Sequence, residues 1–274
     1  MIADAVVPVA GLGTRLRPLT RALPKELLPV ARMPVIEHVV RELADSGIER
    51  VVLVTRRGKQ AIVDHLDGLE DLPCDVMAVR QAEPRGLGDA IACARAALPD
   101  DVPFAIALGD TLMETSDGRP TVMRRLLAAA QDGKAEIAVA LERVPGDEIS
   151  RYGVAEPAGR VLASDGVIPL AGLVEKPAAT DAPSDLAIAS RYVVPFSIFD
   201  ALERVEPGHG GELQLTDALA LLLAEGARAV GVPLRDGEAR HDVGSMESYA
   251  AAFMQYALTD PELGPVLRAK LADV

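Results

Sequence analysis

The first residues whose types and spacing suit chemistry stand directly after the first apolar run. Residues 5–9 read as a buried strand that delivers the chain into Ala10-Gly11-Leu12-Gly13-Thr14-Arg15. Glycines there let backbone N–H groups approach a phosphate or a base edge with no side chain in the way. Arg15 carries the forked donor set that grips phosphate oxygens. Residues 1–25 hold four bases, Arg15, Arg17, Arg21 and Lys25, against one acid, Asp4, although the whole chain has a net charge of −13. A basic cluster in an acidic chain points to a compact anionic ligand, and the overall charge argues against a general nucleic-acid binder. Two familiar phosphate motifs fail on spacing. A dinucleotide-binding loop wants a third glycine where Leu16 stands, and a P-loop wants Gly-Lys-Ser/Thr where Leu16-Arg17-Pro18 stand. A second candidate is Asp110, which follows the apolar run 104–108 and Gly109. Ligands of open α/β sheets bind beyond the carboxyl ends of strands, and a carboxylate there suits Mg²⁺.

The elements that must position these residues alternate. Buried strands are expected near 5–9 and 51–54 and further strands near 75–80, 103–108 and 136–141, with helices at 34–46, 58–66, 87–97 and 120–131. Pro34 at the start and Gly47 at the end bracket the clearest helix, whose apolar face is Val35, Ile36, Val39, Val40, Leu43 and Ala44. This pattern predicts an α/β fold with a mostly parallel, Rossmann-like sheet flanked by helices. Residues 152–194 change character, with Pro157, Gly159, Gly166 and Pro169 between short strands, and read as a small β-rich insertion. A short strand near 228–233 and helices at 197–204, 214–225, 245–257 and 260–273 complete a single expected domain over residues 1–274. With 49% hydrophobic and 25% charged residues the 274-residue chain can fold without staples. No apolar run approaches the ~18 residues of a membrane span, and the acidic start does not resemble a signal peptide. Cys74 and Cys93 are too few for a disulfide framework and are expected as buried small hydrophobes. A cytoplasmic protein without membrane contact is the expectation.

The motifs then accumulate. Ala10-Gly11-Leu12-Gly13-Thr14-Arg15 is followed by Pro24-Lys25-Glu26-Leu27-Leu28-Pro29, by Val79-Arg80-Gln81 and Gly86-Leu87-Gly88, and by Ser150-Arg151-Tyr152-Gly153-Val154. Val174-Glu175-Lys176-Pro177, Gly211-Glu212-Leu213-Gln214-Leu215-Thr216-Asp217 and His241-Asp242-Val243-Gly244 complete the series. In this order, over nearly the whole chain, they resemble the bacterial sugar-1-phosphate nucleotidylyltransferases, and the uridylyltransferases in particular. The resemblance implies a nucleotidyltransferase fold and a reaction in which a sugar-1-phosphate oxygen attacks the α-phosphate of a nucleoside triphosphate, releasing pyrophosphate. The implied substrates are UTP and glucose-1-phosphate, giving UDP-glucose. A thymidylyltransferase making dTDP-glucose and a non-catalytic sugar-nucleotide-binding homologue are the alternatives.

The same resemblance assigns roles by residue. Arg15 and Lys25 face the triphosphate, and Lys176 meets the sugar phosphate. Ala10, Gly11, Gly13, Glu26, Gln81 and Gly86 bind the nucleotide, Gln81 suiting an imide edge through its amide. Gly153 and Glu175 serve the sugar. Asp110 and Asp242 hold Mg²⁺, with His241 as a packing or hydrogen-bonding neighbour. A homodimer or homotetramer is implied, with the helices after Asp242 as the contact. Three features depart from the uridylyltransferase pattern: Asp89 stands where histidine is frequent, Ser190 stands where glycine is usual, and Gly109-Asp110 is closer to the thymidylyltransferase style of the metal motif.

Overall fold

The computed structural model describes residues 2–115, 121–131, 135–159 and 166–272. In chain order the strands are β1 (Asp4–Pro8), β2 (Pro29–Val30), β3 (Met33–Pro34), β4 (Arg50–Thr55), β5 (Asp75–Arg80), β6 (Phe104–Ala107) and β7 (Thr111–Glu114). They continue as β8 (Ile137–Arg143), β9 (Gly153–Pro157), β10 (Ile168–Glu175), β11 (Leu186–Val194), β12 (Ala229–Pro233) and β13 (Ala239–Asp242). The helices are α1 (Val35–Asp45), α2 (Gln60–Asp67), α3 (Leu87–Ala92), α4 (Val122–Gln131), α5 (Ile198–Arg204), α6 (Leu215–Ala224), α7 (Met246–Thr259) and α8 (Leu263–Leu271).

Nine strands form one sheet in the order β5-β4-β1-β6-β11-β8-β12-β10-β9. β5, β4, β1 and β6 run parallel, as their alternation with helices requires. The alternating side chains of β1 supply both faces: Ala5 and Val7 belong to the apolar cluster shared with α1, α2, α4 and α7, whereas Val6 belongs to the one shared with α3, α5 and α6. A strand buried on two faces has to be apolar at every position, which is why residues 5–9 and 51–54 stand out in the sequence.

The second half of the sheet is mixed, and antiparallel pairing has a larger share than the alternation suggested. β11 is antiparallel to both β6 and β8, and β10 to both β12 and β9. The expected β-rich insertion is part of the main sheet. β11, nine residues long and buried throughout, lies at its centre. β9 also pairs with β11, so β11, β8, β12, β10 and β9 form a closed cycle of pairings. Of the turn residues that suggested short strands, Gly159 and Gly166 lie between β9 and β10, whereas Pro157 ends β9 and Pro169 is the second residue of β10. The helix expected over 87–97 ends at Ala92 and resumes as a 3₁₀ turn at Arg95–Ala97. The last helix starts at Leu263 because the Asp260 carboxylate accepts from the N–H groups of Glu262 and Leu263. Residues 120, 160–165 and 273, inside three expected segments, lie outside the described residues. Cys74 and Cys93 are half-buried rather than buried. Among the described residues no helix is long and apolar enough to cross a membrane.

Candidate functional site

The candidate site forms where β1 and β6 end side by side. Past β1, the Val9 N–H still donates to the Val54 carbonyl at 2.9 Å, and then the backbone leaves the sheet. Gly13 takes φ +61°, a left-handed turn that glycine adopts at little cost, and Thr20 Oγ1 donates to its carbonyl at 2.7 Å. The turn Thr14–Leu16 is anchored by fully buried Leu16 and turns Arg15 to the cleft. Arg15 forms no ion pair among the described residues. Its Nη2 lies 2.9 Å from where a Cβ on Gly244 would stand, so Gly244 leaves room for the guanidinium.

Lys25 opens the turn Lys25–Leu27, and its ammonium pairs with Asp110 Oδ2. Burial alone would lower the Lys25 pKa, but the Asp110 carboxylate, with help from Glu26 and Asp242, leaves it above the ordinary lysine value. Asp110 shifts the other way: burial pushes its carboxyl up, Lys25 outweighs that, and it sits below the usual range. Beside Lys25, the Glu26 carboxylate is 1% exposed and both of its oxygens accept from Lys59 Nζ, at 2.8 and 2.7 Å. Glu26 lines the cleft as expected, but this engagement makes it an anchor for the Lys25 turn more than a free contact.

Two backbone devices set the carboxylates against each other. Gly109 lets β6 close on β1, since a Cβ there would meet Val9 Cγ1 at 2.5 Å. β7 then pairs antiparallel with β13, Thr111 opposite Asp242, and the Val243 N–H donates to the Asp110 carbonyl at 2.8 Å. Burial, then the Asp110 charge, raises the Asp242 pKa. His241 is placed by Glu114 Oε2 at 3.0 Å and by the Tyr256 ring, a packing role.

Ala10, Gly11, Gly13, Arg15, Lys25, Glu26, Gln81, Gly86 and Asp110 line one cleft of about 440 Å³. Gln81 Nε2 donates to Asp89 Oδ2 at 2.7 Å and to the Gly86 carbonyl at 3.2 Å. Residues 85–88 are zipped to Leu213 by two backbone bonds of 2.8 Å, from the Gly88 N–H to the Leu213 carbonyl and from the Leu213 N–H to the Arg85 carbonyl. Gly86 has φ +114°, and a Cβ there would stand 2.6 Å from the Leu213 carbonyl. Gly86→Ala is therefore expected to lower stability by about 3 kcal/mol through strain and overpacking and to weaken nucleotide binding. Thermal melting and a nucleotide titration read both, and an unchanged melt would contradict the close approach.

Gly153, Glu175 and Lys176 do not line this cleft; they form a second cluster. Gly153 pairs opposite Glu175 across β9 and β10. Glu175 Oε2 accepts from Thr216 Oγ1 at 2.6 Å, and Lys176 Nζ lies 3.3 Å from Glu175 Oε1. A Cβ on Gly153 would come within 3.0 Å of Thr216 Oγ1 and 3.2 Å of Glu175 Oε2, so glycine keeps that pair open. Lys176 has φ +43°, a strained value of the kind that gathers at functional sites. β11 links the two clusters: Ala187 pairs with Val154, and the Ser190 carbonyl accepts from the Leu108 N–H at 3.2 Å.

A family profile described as nucleotidyl transferase matches residues 4–258. The chain belongs to the nucleotidyl transferase family. It is 38% identical to a UTP–glucose-1-phosphate uridylyltransferase of Streptococcus pneumoniae over 96% of this chain and 92% of that one. Its fold matches a UDP-glucose pyrophosphorylase complexed with UDP-glucose with a TM-score of 0.85 at 34% identity, over 93% of this chain and 98% of the other. A UTP-bound enzyme of the same name from Acinetobacter baumannii gives 0.86 at 31% identity, with both chains fully covered. The resemblance read from the motifs and the expected fold class are borne out.

Within this nucleotidyl transferase several contacts had no sequence signal. Lys59 precedes α2 in a polar turn, and nothing in its neighbourhood marks it as the partner of Glu26. Thr216 lies in a family block, but its bond to Glu175 joins residues 41 apart. Ser190 has φ +60° in a β11 bulge, a left-handed value that glycine adopts freely and that costs serine about 1 kcal/mol. Fully buried Arg191 holds the bulge, donating to Glu42 at 2.6 Å and to the Thr111 carbonyl at 2.8 Å. A larger hollow of about 650 Å³, bordered by α1, β7 and α7, shares no residue with the cleft. Of its three acids, Glu42 and Glu114 are already paired with Arg191 and His241, and the candidate active site is the smaller cleft, lined by Arg15 and Lys25.

Proposed function

We propose that this nucleotidyl transferase moves the uridylyl group of UTP to glucose-1-phosphate, giving UDP-glucose and pyrophosphate. The observation that carries this reading is the meeting of Arg15, Lys25 and Asp110 in one cleft, with Asp242 fixed beside Asp110 by the β7–β13 pairing. Two polyanions have to approach each other, and such transfer is catalysed mainly by positioning and charge stabilisation. Arg15, which forms no ion pair among the described residues, and Lys25 meet the triphosphate. The backbone of Ala10 and Gly11, the Gln81 amide and Gly86 receive the base. Glu175, held by Thr216, accepts from sugar hydroxyls, and Lys176 offsets the charge of the sugar phosphate. A sugar-phosphate oxygen then bonds to the α-phosphorus in line with the departing pyrophosphate oxygen.

The donor set fits Mg²⁺. No cluster of three or more metal-ligating side chains occurs among the described residues, but this ion is ordinarily held by one or two carboxylates and completes its shell with phosphates and water. Asp110 and Asp242 supply that pair. Bound there, Mg²⁺ would neutralise charge on the triphosphate. The reading includes a cytoplasmic location, supported by two half-buried cysteines without a disulfide. It also includes a homodimer or homotetramer, supported by the exposed Met254, Val266 and Leu271 on α7 and α8.

Pyrophosphate release from glucose-1-phosphate, with UTP and dTTP in parallel and Mg²⁺ present, tests the reading. A UTP preference of tenfold or more, about 1.4 kcal/mol in the transition state, is expected. A dTTP preference would make the chain a thymidylyltransferase, and no release with either would overturn the reaction.

A further inference from the structure

Gln81 is held in a way that fixes what it can read. Its Nε2 donates to two groups that only accept, Asp89 Oδ2 at 2.7 Å and the Gly86 carbonyl at 3.2 Å. Turning the amide over would set its oxygen against that carboxylate and that carbonyl, so acceptor would face acceptor. The Asp89 carboxylate is itself oriented, because Arg85 binds its other oxygen, with Nη2 at 2.9 Å and Nε at 3.1 Å. Gln81 is 4% exposed and lines the cleft, and its Oε1 has no partner among the described residues. The side chain therefore has one free polar atom to offer a ligand, and that atom accepts.

We propose that Asp89 is a positioning residue for base selection: by binding the Gln81 amide nitrogen it keeps the Gln81 carbonyl oxygen available to the cleft, as an acceptor for the N3–H of an imide base. The proposal rests on the function assigned above. Uracil and thymine both carry this N–H, whereas cytosine has a lone pair at the same ring position. The device selects imide bases as a class and does not separate uracil from thymine. It gives a physical role to Asp89 in the first turn of α3.

Equilibrium binding of UTP and CTP to the full chain, by calorimetry with Mg²⁺ present, tests the proposal without requiring turnover. The wild-type protein is expected to bind UTP at least tenfold more tightly than CTP. Asp89→Ala removes the lock while placing a strong helix former in α3, and is expected to reduce the UTP:CTP affinity ratio about tenfold, in line with the loss of one charge-assisted hydrogen bond. Asp89→Asn keeps an acceptor for Gln81 Nε2 and is expected to hold the ratio within about threefold of wild type. Glucose-1-phosphate KM should be unchanged in both variants. A wild-type protein that does not distinguish UTP from CTP, or an Asp89→Ala variant with an unchanged ratio, overturns the proposal. Loss of the ratio in Asp89→Asn equal to that in Asp89→Ala also overturns it, since charge alone would then be the cause. Absence of pyrophosphate release in the wild-type protein would strike the assigned reaction and leave these binding ratios readable.

Discussion

Asp110→Asn is expected to lower turnover by at least about a hundredfold while leaving the fold in place. The substitution preserves shape and removes one negative charge from the pair that Asp110 forms with Asp242. The backbone geometry that sets these residues together is independent of the side chain: the Asp110 carbonyl binds the Val243 N–H, and β7 pairs with β13. Steady-state pyrophosphate release over a Mg²⁺ titration reads the loss, and far-ultraviolet circular dichroism checks the fold. Turnover near the wild-type rate would remove Asp110 from the site.

Lys25→Met comes second, and its effect divides between activity and stability. Removal of the ammonium takes a cation from the triphosphate, with an expected loss of about a hundredfold in kcat/KM. It also leaves the Asp110 carboxylate without its partner. Breaking a buried pair in this way costs about 3–5 kcal/mol. The Asp110 side chain retains 23% exposure, so about 2 kcal/mol is expected, a fall of several degrees in Tm for a chain of this size. If the unpaired charge is the cause, the double variant Lys25→Met/Asp110→Asn should regain most of the lost Tm and none of the turnover. A double variant no more stable than Lys25→Met would place the cost in packing instead.

The pH window for this comparison follows from the shift directions. The Asp110 pKa is depressed, so its contribution is present above the ordinary aspartate range and is lost as pH falls through the lowered value. The Lys25 pKa is raised, so its contribution is complete below the ordinary lysine value and is lost as pH rises through the raised one. At neutral pH both groups are charged, and the two variants can be compared there directly.

Much of the site was legible in the chain because its parts are local. The loop from Ala10 to Arg15 announces itself by glycines after a strand buried on both faces. Asp110 announces itself by following another such strand, and the four strands of the parallel half of the sheet were expected from the alternation of strand and helix patterns. The antiparallel half was harder for a physical reason. β10 and β11 are separated by turn-rich stretches that look like a detached insertion, and nothing local says that β11 pairs with β6 and β8 at the centre of the sheet.

What the sequence by itself determined was the family and, through the resemblance of its ordered motifs, the reaction class; the charged residues proposed for the site were named by the same resemblance, because each motif is local. The tertiary structure decided how distant residues meet. It set Asp242 beside Asp110 through a two-stranded pairing, bound Glu26 on both oxygens to Lys59, and joined Thr216 to Glu175. It also turned the Asp89 carboxylate onto the Gln81 amide, so that a residue that looked like a departure from pattern became the partner fixing a hydrogen-bond direction. Such contacts depend on strand register and on which way a loop closes, and those are set by the packing of the whole sheet and its helices.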